Sequence, residues 1–297
     1  MKSFPLYILP ALLIVSCNSN NNRFDATGTF EATEVIVSSE SSGKLLVFNL
    51  EEGQVLKSGQ KIGAIDSTQL YLNKLQLREN QKAVLAGKPD IKTQMEATKR
   101  EIENTQSEKK RIENLVKGEV ASQKQLDDIN TKLAVLESRL AAQQSSLNTT
   151  TSTLTQQSNA INVQMSMVQD QLKKCSIINP IEGTVLAKYA MQNEMTLSGK
   201  ALYKIADLNS VILRAYISGS QLSQIKLGQS VKVLVDAPDN GYKEYAGTIT
   251  WVSDKAEFTP KTIQTKEERA NLVYAIKIDV KNDGYLKLGM YGEVKFK

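Results

Sequence analysis

The feature that most constrains this chain is a run of positions that steps alternately three and four residues. It comprises Leu126, Ile129, Leu133, Leu136, Leu140, Gln143, Leu147, Thr150, Leu154, Gln157, Ile161, Gln164, Val168, Gln171 and Cys175. A heptad seam of this kind lets one helix pack along another. It spans about fifty residues, or roughly 75 Å at about 1.5 Å per residue. A weaker copy precedes it: Ile91, Met95, Thr98, Ile102, Thr105, Lys109, Ile112 and Val116. Between the two, Val116-Lys117-Gly118-Glu119-Val120-Ala121-Ser122 supplies a stop and a restart. Gly118 is the expected left-handed residue that ends the first helix. Ser122, with Gln125 three residues on, is a capping-box signature for the second. The stretch 67–175 therefore reads as an antiparallel helical hairpin.

Gly87-Lys88-Pro89 interrupts the first arm: Gly87 can end a turn, and Pro89 suits the first position of a new helix. With the fold-back near residue 119, position 88 lies opposite about 150. That is the Ser/Thr-rich stretch 145–155, which has poor helix propensity. A flexible or locally distorted joint is expected at this height, with a loosely packed but continuous coil as the alternative.

The chain begins with Lys2 and an apolar run, Phe4 to Val15, too short to span a membrane. It reads as a secretory signal over residues 1–16. Ile14-Val15-Ser16-Cys17 resembles a bacterial lipobox, and the resemblance implies cleavage before Cys17 and lipid attachment to it. Residues 17–27 would then tether a folded protein to a membrane surface. The competing reading is an ordinary secretory leader with an incidental Cys.

Short strands flank the hairpin on both sides. Before it, β-forming residues sit among closely spaced glycines: Thr29 to Val37, Gly43 to Val47, Gly53 to Leu56 and Gly59 to Asp66. After it, the same texture returns in Asn179-Pro180-Ile181-Glu182-Gly183-Thr184-Val185 and Gly199 to Ala206. The simplest arrangement is one β module, residues 28–66 and 176–207, split by an insertion whose ends lie close together. From residue 208 to 297, five or six period-two segments with a short helix at Ser220 to Ile225 suggest a small closed barrel. Pro238-Asp239-Asn240-Gly241 reads as a turn. The fold class is an elongated α+β chain.

Composition narrows the chemistry. Among 297 residues there is no His, and the only Cys beyond the leader is Cys175. An intrachain disulfide in the mature chain and a Cys/His zinc site are excluded, and the commonest general base is missing. Cys175 continues the seam where the hairpin rejoins the sheet, so it reads as a buried thiol. No carboxylate pair stands out, so no catalytic, metal or cofactor-binding residue is assigned and an enzyme is not expected. The net charge of +5 is mildly basic. Lys109, Lys110, Arg111 and Lys117 near the tip lack interleaved aromatics, which argues against nucleic acid.

This order of parts resembles the periplasmic adaptor (membrane fusion, HlyD-like) subunits of bacterial export systems. Gly43 through Asp66 is similar to the first half-motif of their lipoyl-like module, and Asn179 through Val185 to the second. The stretch Ala256 to Arg269, then Leu272-Val273-Tyr274, is similar to the barrel of adaptors serving ABC-type exporters. Leu288-Gly289-Met290 and the break at Gly87-Lys88-Pro89 fit the same group. The resemblance implies a lipoyl-like module split by the hairpin and followed by a β-barrel. It also implies a lipid-anchored, periplasm-facing protein of a Gram-negative envelope, held at the inner membrane. Its partners would be an inner-membrane exporter, ABC type in preference to RND, and a TolC-like outer-membrane duct. Copies would form a ring, a hexamer by family, with charged lateral hairpin faces meeting their neighbours.

Family members carry an Arg, a Leu four residues on and a Ser seven further, which engage the duct. Arg111, Leu115 and Ser122 occupy those spacings. Each also has a plain role compatible with docking: a solvated charge, packing at the hairpin end, and an N-cap. Two other classes compete. A lipoyl or biotinyl carrier needs a modifiable Lys on an exposed hairpin, whose place the insertion takes. A structural coiled-coil envelope lipoprotein leaves the barrel without a purpose.

Overall fold

The computed structural model describes residues 24–238, 241–257 and 272–296. The fold is a set of nested insertions. The first strand, β1 (Ala26–Glu31), belongs to a barrel whose other strands all come from the C-terminal part of the chain. The chain then leaves to build the first half of the split module. This comprises β2 (Glu34–Ser38), β3 (Gly43–Phe48), β4 (Val55–Leu56) and β5 (Lys61–Ile65). The hairpin follows as α1 (Thr68–Ala86), α2 (Ile91–Lys117) and α3 (Gln123–Lys174). The second half is β6 (Ser176–Ile178), β7 (Gly183–Lys188), β8 (Met195–Thr196) and β9 (Ala201–Ala206). The barrel is completed by β10 (Ser210–Ser218), β11 (Ser230–Asp236), β12 (Tyr242–Val252), β13 (Val273–Lys281) and β14 (Tyr291–Lys295).

The two module halves repeat one another and exchange strands. One sheet runs β2-β9-β7-β4 and the other β6-β5-β3-β8, so each half donates two strands, its first and its short third, to the sheet built on the other's second and fourth. The turn before that strand needs a positive φ in both halves. Gly53 supplies it at 83° and Asn193 at 72°, the two residue types that adopt it most readily. Leu45, Phe48, Leu56, Ile65, Val185, Leu202 and Ile205 fill the space between the sheets. A polar staple crosses this core. The Tyr203 hydroxyl donates to Asn179 Oδ1 at 2.9 Å, and Asn179 Nδ2 donates to the Lys57 and Ile181 carbonyls at 2.9 and 2.5 Å. Burial pushes the Tyr203 phenol up to about 12.

The hairpin leaves from adjacent strands. The β5 and β6 strands pair antiparallel, and the Ile65 N–H donates to the Cys175 carbonyl at 2.8 Å. Asp66 starts α1 by accepting from the Thr68 N–H at 3.0 Å and the Thr68 hydroxyl at 2.7 Å. These bonds hold its carboxyl below the usual range. The break in the first arm falls where the sequence places it. However, α2 starts at Ile91 with Asp90 as its N-cap, accepting from Thr93 N–H at 3.2 Å, so Pro89 lies just outside the helix.

The second arm does not break. Its helix runs unbroken through 145–155, where Thr149, Thr150, Thr153 and Thr155 hydroxyls donate to the carbonyls four residues back at 2.7–3.0 Å. What changes there is the seam. Up to Leu147 the sequence-derived positions face inward. Beyond it Thr150, Gln157, Gln164 and Gln171 are exposed, and Thr151, Ser158, Met165 and Leu172 turn inward instead. Two steps of four in succession, Gln143 to Leu147 to Thr151, produce the shift. A straight helix drifts from a strict seven-residue repeat, and a stutter of this kind corrects it. It lies where the partner changes from α2 to α1, with Gly87 facing Leu154.

The barrel order is β1-β10-β13-β12-β11-β14, closed. Two expectations change here. Residues 28–31, placed in the split module from sequence, are barrel strand, and Thr29 to Val37 is two strands separated at Ala32-Thr33. The cause is burial: Ala26 and Phe30 enter the barrel core, while Val35 and Val37 pack on the module core. The expected short helix is a single 3-10 turn, Leu222–Gln224. Asp239 and Asn240 of the expected turn lie outside the described residues.

Closure depends on two glycines in register, Gly28 on β1 and Gly292 on β14. A Cβ at Gly28 would lie 2.0 Å from the Arg214 carbonyl oxygen on β10. On the outer wall, Lys243 Nζ pairs with Asp283 Oδ2 at 2.6 Å, and Asp283 Oδ1 accepts from Tyr245 OH at 3.0 Å and Tyr285 N–H at 3.1 Å. The Lys243 ammonium, with the Tyr285 N–H, holds the Asp283 carboxyl down at about 2.

Gly28→Val is predicted to destabilise the barrel by about 3 kcal/mol through overpacking against a backbone that has no room. Chemical denaturation of the purified variant checks it. The Asp283 clamp has a pH signature. An unfolded Asp titrates near about 3.9, so a folded carboxyl lowered to about 2 contributes stability that is full above pH ~4. That contribution is lost as the pH falls through about 2. Melting temperatures of wild type and Asp283→Asn should differ at pH 6 and converge at pH 2.

Candidate docking tip

The turn between α2 and α3 is built differently from its sequence expectation. Gly118 keeps near-helical angles, φ −86° and ψ 10°, and Glu119 takes the left-handed conformation at φ 57°. Two backbone bonds close the helix end: Glu119 N–H to Val116 O at 3.0 Å and Val120 N–H to Leu115 O at 2.9 Å. This is the Schellman pairing, with Glu119 where glycine is usual. The left-handed angles at a non-glycine residue cost about 1 kcal/mol, and the two bonds offset it. Glycine was sought one residue too early because Gly118 is the only one in the turn.

The capping box is present as expected. The Gln125 N–H donates to Ser122 Oγ at 3.4 Å, and the Ser122 N–H donates to Gln125 Oε1 at 2.9 Å. Ser122 and Leu115 are both exposed, Leu115 at 37%. One helical turn before Leu115, Arg111 projects with a side chain 72% exposed and an ion pair to Glu108 at 3.5 Å. The three residues sought from sequence therefore share one exposed end of the hairpin. Val120, which sequence reasoning passed over, is the most exposed apolar residue there at 77%. Its signal was legible: an apolar residue inside a turn between two helices has no fold role that buries it. The tip offers two apolar side chains beside one weakly held guanidinium, a surface suited to binding rather than bond chemistry.

Other expected positions resolve in part. Cys175 is buried at the hairpin foot, its thiol donating to the Gln171 carbonyl at 3.4 Å and lying 3.4 Å from Ser41 Oγ. Of the barrel stretch Ala256 to Arg269, only Ala256 and Glu257 are described. Arg214 grips both Glu257 carboxylate oxygens at 3.1 and 3.0 Å, and Glu257 bridges to Val273. Cys17, with the whole of residues 1–23, lies outside the described residues. Among the described residues no helix is long and apolar enough to cross a membrane. No cluster of three or more acidic or Cys side chains there could hold a metal ion.

Ser122→Ala should cost about 1 kcal/mol of hairpin stability, and Glu119→Gly should add up to about 1 kcal/mol by removing left-handed strain. Arg111→Asp should stay within about 0.5 kcal/mol, as expected for an exposed site. Urea denaturation followed by helical circular dichroism separates the three.

No protein-family profile matches the chain. It is 28% identical over 296 residues to the UPF0194 membrane protein YbhG of Salmonella gallinarum (strain 287/91 / NCTC 13346), covering 91% of this chain and 87% of that protein. Among solved structures, MacA from Actinobacillus actinomycetemcomitans superposes with a TM-score of 0.52 at 22% identity, covering 91% of this chain and 76% of MacA. A MacA–MexA chimera carrying the Pseudomonas aeruginosa MexA α-hairpin domain gives 0.51 at 23% identity, covering 91% and 78%. The nested barrel, split module and hairpin thus give this chain the fold seen in MacA.

Proposed function

We propose that the chain is the periplasmic adaptor of a tripartite export system, joining an inner-membrane exporter, ABC type in preference to RND, to a TolC-like outer-membrane duct. The observation that carries this reading is the hairpin itself. An arm formed by a 52-residue helix, roughly 78 Å long, ends in an exposed apolar and basic tip and rises from between the halves of a module that repeats. Among the described residues nothing outside the hairpin packs on that tip. A reach of this length matches a linker between distant partners, and the residues fit no bond chemistry.

In this reading Arg111 supplies a charge to the duct, while Leu115 and Val120 supply apolar contact. The Ser122 side chain has a fold role in the capping box as well. Lipid on Cys17 holds the other end at the inner membrane, facing the periplasm of a Gram-negative envelope. Copies form a head-to-tail ring, six by family resemblance.

The partners are tested by mild in-cell crosslinking of the full chain, native purification and mass spectrometry. Recovery of an ABC ATPase and permease with an outer-membrane duct is expected. Recovery of an RND pump would keep the adaptor role and change the exporter. Finding only the protein itself and cell-wall components, at efficient crosslinking, would point to a structural envelope lipoprotein. Arg111→Asp should abolish export with expression and helix content unchanged; undiminished export would remove Arg111 from the docking tip.

A further inference from the structure

The barrel has two ends, and the split module occupies one. There Ala32-Thr33 and Asp207-Leu208-Asn209 lead from barrel strands into module strands. Every neighbouring pair of barrel strands is antiparallel. The starts of β1, β11 and β13 therefore gather at the opposite rim with the ends of β10, β12 and β14. The chain stays fixed to this rim as far back as Asp25, whose N–H donates to the Val294 carbonyl at 2.9 Å. Cys17 lies eight residues before Asp25, and eight extended residues span at most about 29 Å. A lipid on Cys17 keeps the rim within that distance of a bilayer surface.

The rim presents apolar side chains on rigid backbone. Leu227, in the turn that enters β11, is 68% exposed. Gly228 N–H donates to Ile249 O at 2.8 Å, Ile249 N–H to Gln229 O at 3.0 Å, and Lys226 N–H to Gln229 Oε1 at 2.9 Å. These bonds extend the β11–β12 ladder past its end and set Leu227 one strand over from Trp251. By strict alternation Trp251 would follow Ile249 into the barrel core. A bulge between Ile249 and Trp251 turns it outward instead, 39% exposed, and re-aiming a side chain is a common use of a bulge. Leu272, just ahead of β13, is 51% exposed.

Single exposed apolar side chains are ordinary. These share a rim with Lys226, Lys255 and Lys295, which are exposed and form no ion pair among the described residues. The exposed carboxylate beside them is Asp254. Glu257 is held by Arg214 at 3.0 Å, and Asp25 accepts from the Phe296 N–H at 2.7 Å. This mixture suits a membrane interface. Leucines enter the headgroup boundary, an indole lies at it, and ammonium groups attract anionic headgroups. A short tether makes the contact intramolecular, so few charges and a small apolar area suffice.

We propose that the free rim of the barrel, through Lys226, Leu227, Trp251, Lys255 and Leu272, lies on an anionic bilayer surface beside the lipid on Cys17. The inference rests on the lipid anchor of the adaptor reading. It gives the barrel a fixed stance toward the membrane, where a tether alone leaves it free to turn.

Trp251 is the only tryptophan in the chain, so its fluorescence reports the rim without a label. The full-length lipidated protein is reconstituted into vesicles of phosphatidylethanolamine and phosphatidylglycerol, with and without bromine on the acyl chains. Bromolipid is expected to quench Trp251 emission by about half, as for an indole at the interface, and much less in phosphatidylcholine vesicles. Lys226→Glu combined with Leu227→Ser should remove most of the quenching with helix content and melting temperature unchanged, since both side chains are exposed. Absent quenching, quenching that survives the double substitution, or equal quenching in phosphatidylcholine would overturn the inference. In cells, a photo-crosslinking amino acid at position 227 should yield lipid adducts. Adducts only to another protein would also overturn it and give the rim to that partner. Failure of the anchor itself shows separately, as a purified protein whose mass lacks acyl chains.

Discussion

The architecture depends on one geometric constraint: an insertion of about a hundred residues must leave and re-enter its host within one strand spacing, about 4.8 Å. The hairpin meets it at the β5–β6 pair, where the Ile65 N–H and the Cys175 carbonyl bond across the gap. That gap lies between two repeated halves, so neither half has its own strand order interrupted. Because each half lends two strands to the other's sheet, separating them would expose both sheets at once. The Asn179–Tyr203 staple adds polar specificity, since a buried amide or phenol left without its partner costs about 1–3 kcal/mol.

Packing is unequal along the hairpin. In the outer half, Met95, Ile102 and Leu136 are buried between α2 and α3. Toward the foot, α1 buries no residue fully and meets α3 through polar contacts, Lys74 with Gln169 and Gln81 with Ser158. The break at residues 87–90 and the stutter at Leu147 to Thr151 divide the two regimes at one height. Both halves hold cross-arm hydrogen bonds, Thr98 with Gln143 in the outer half among them, and more of the buried apolar side chains lie in the outer half.

Much of this was legible in sequence because period and punctuation are local signals. The seam, the break, the capping box and the tip residues Arg111, Leu115 and Ser122 could be placed from spacing and resemblance. What escaped was decided by tertiary partners. A strict heptad count cannot know that α3 changes partner halfway, and it assigns Thr150, Gln157, Gln164 and Gln171 to a seam from which they are turned away. Glu119 takes a glycine's conformation because two backbone bonds hold it there. The β1 strand reads like its neighbour β2, and only the Gly28–Gly292 pairing and the buried Phe30 assign it to the barrel.

Because β1 comes from before the module and β14 ends the described chain, the first and last strands lie side by side, Ala26 opposite Val294. The β1 strand is bonded along both edges, to β10 and to β14. A pull along the axis of β1 therefore loads both ladders together. It must shear them in parallel, whereas a pull across the sheet would peel bonds one at a time. The N-terminal strand is a mechanical joint, strongest against a load along its own axis.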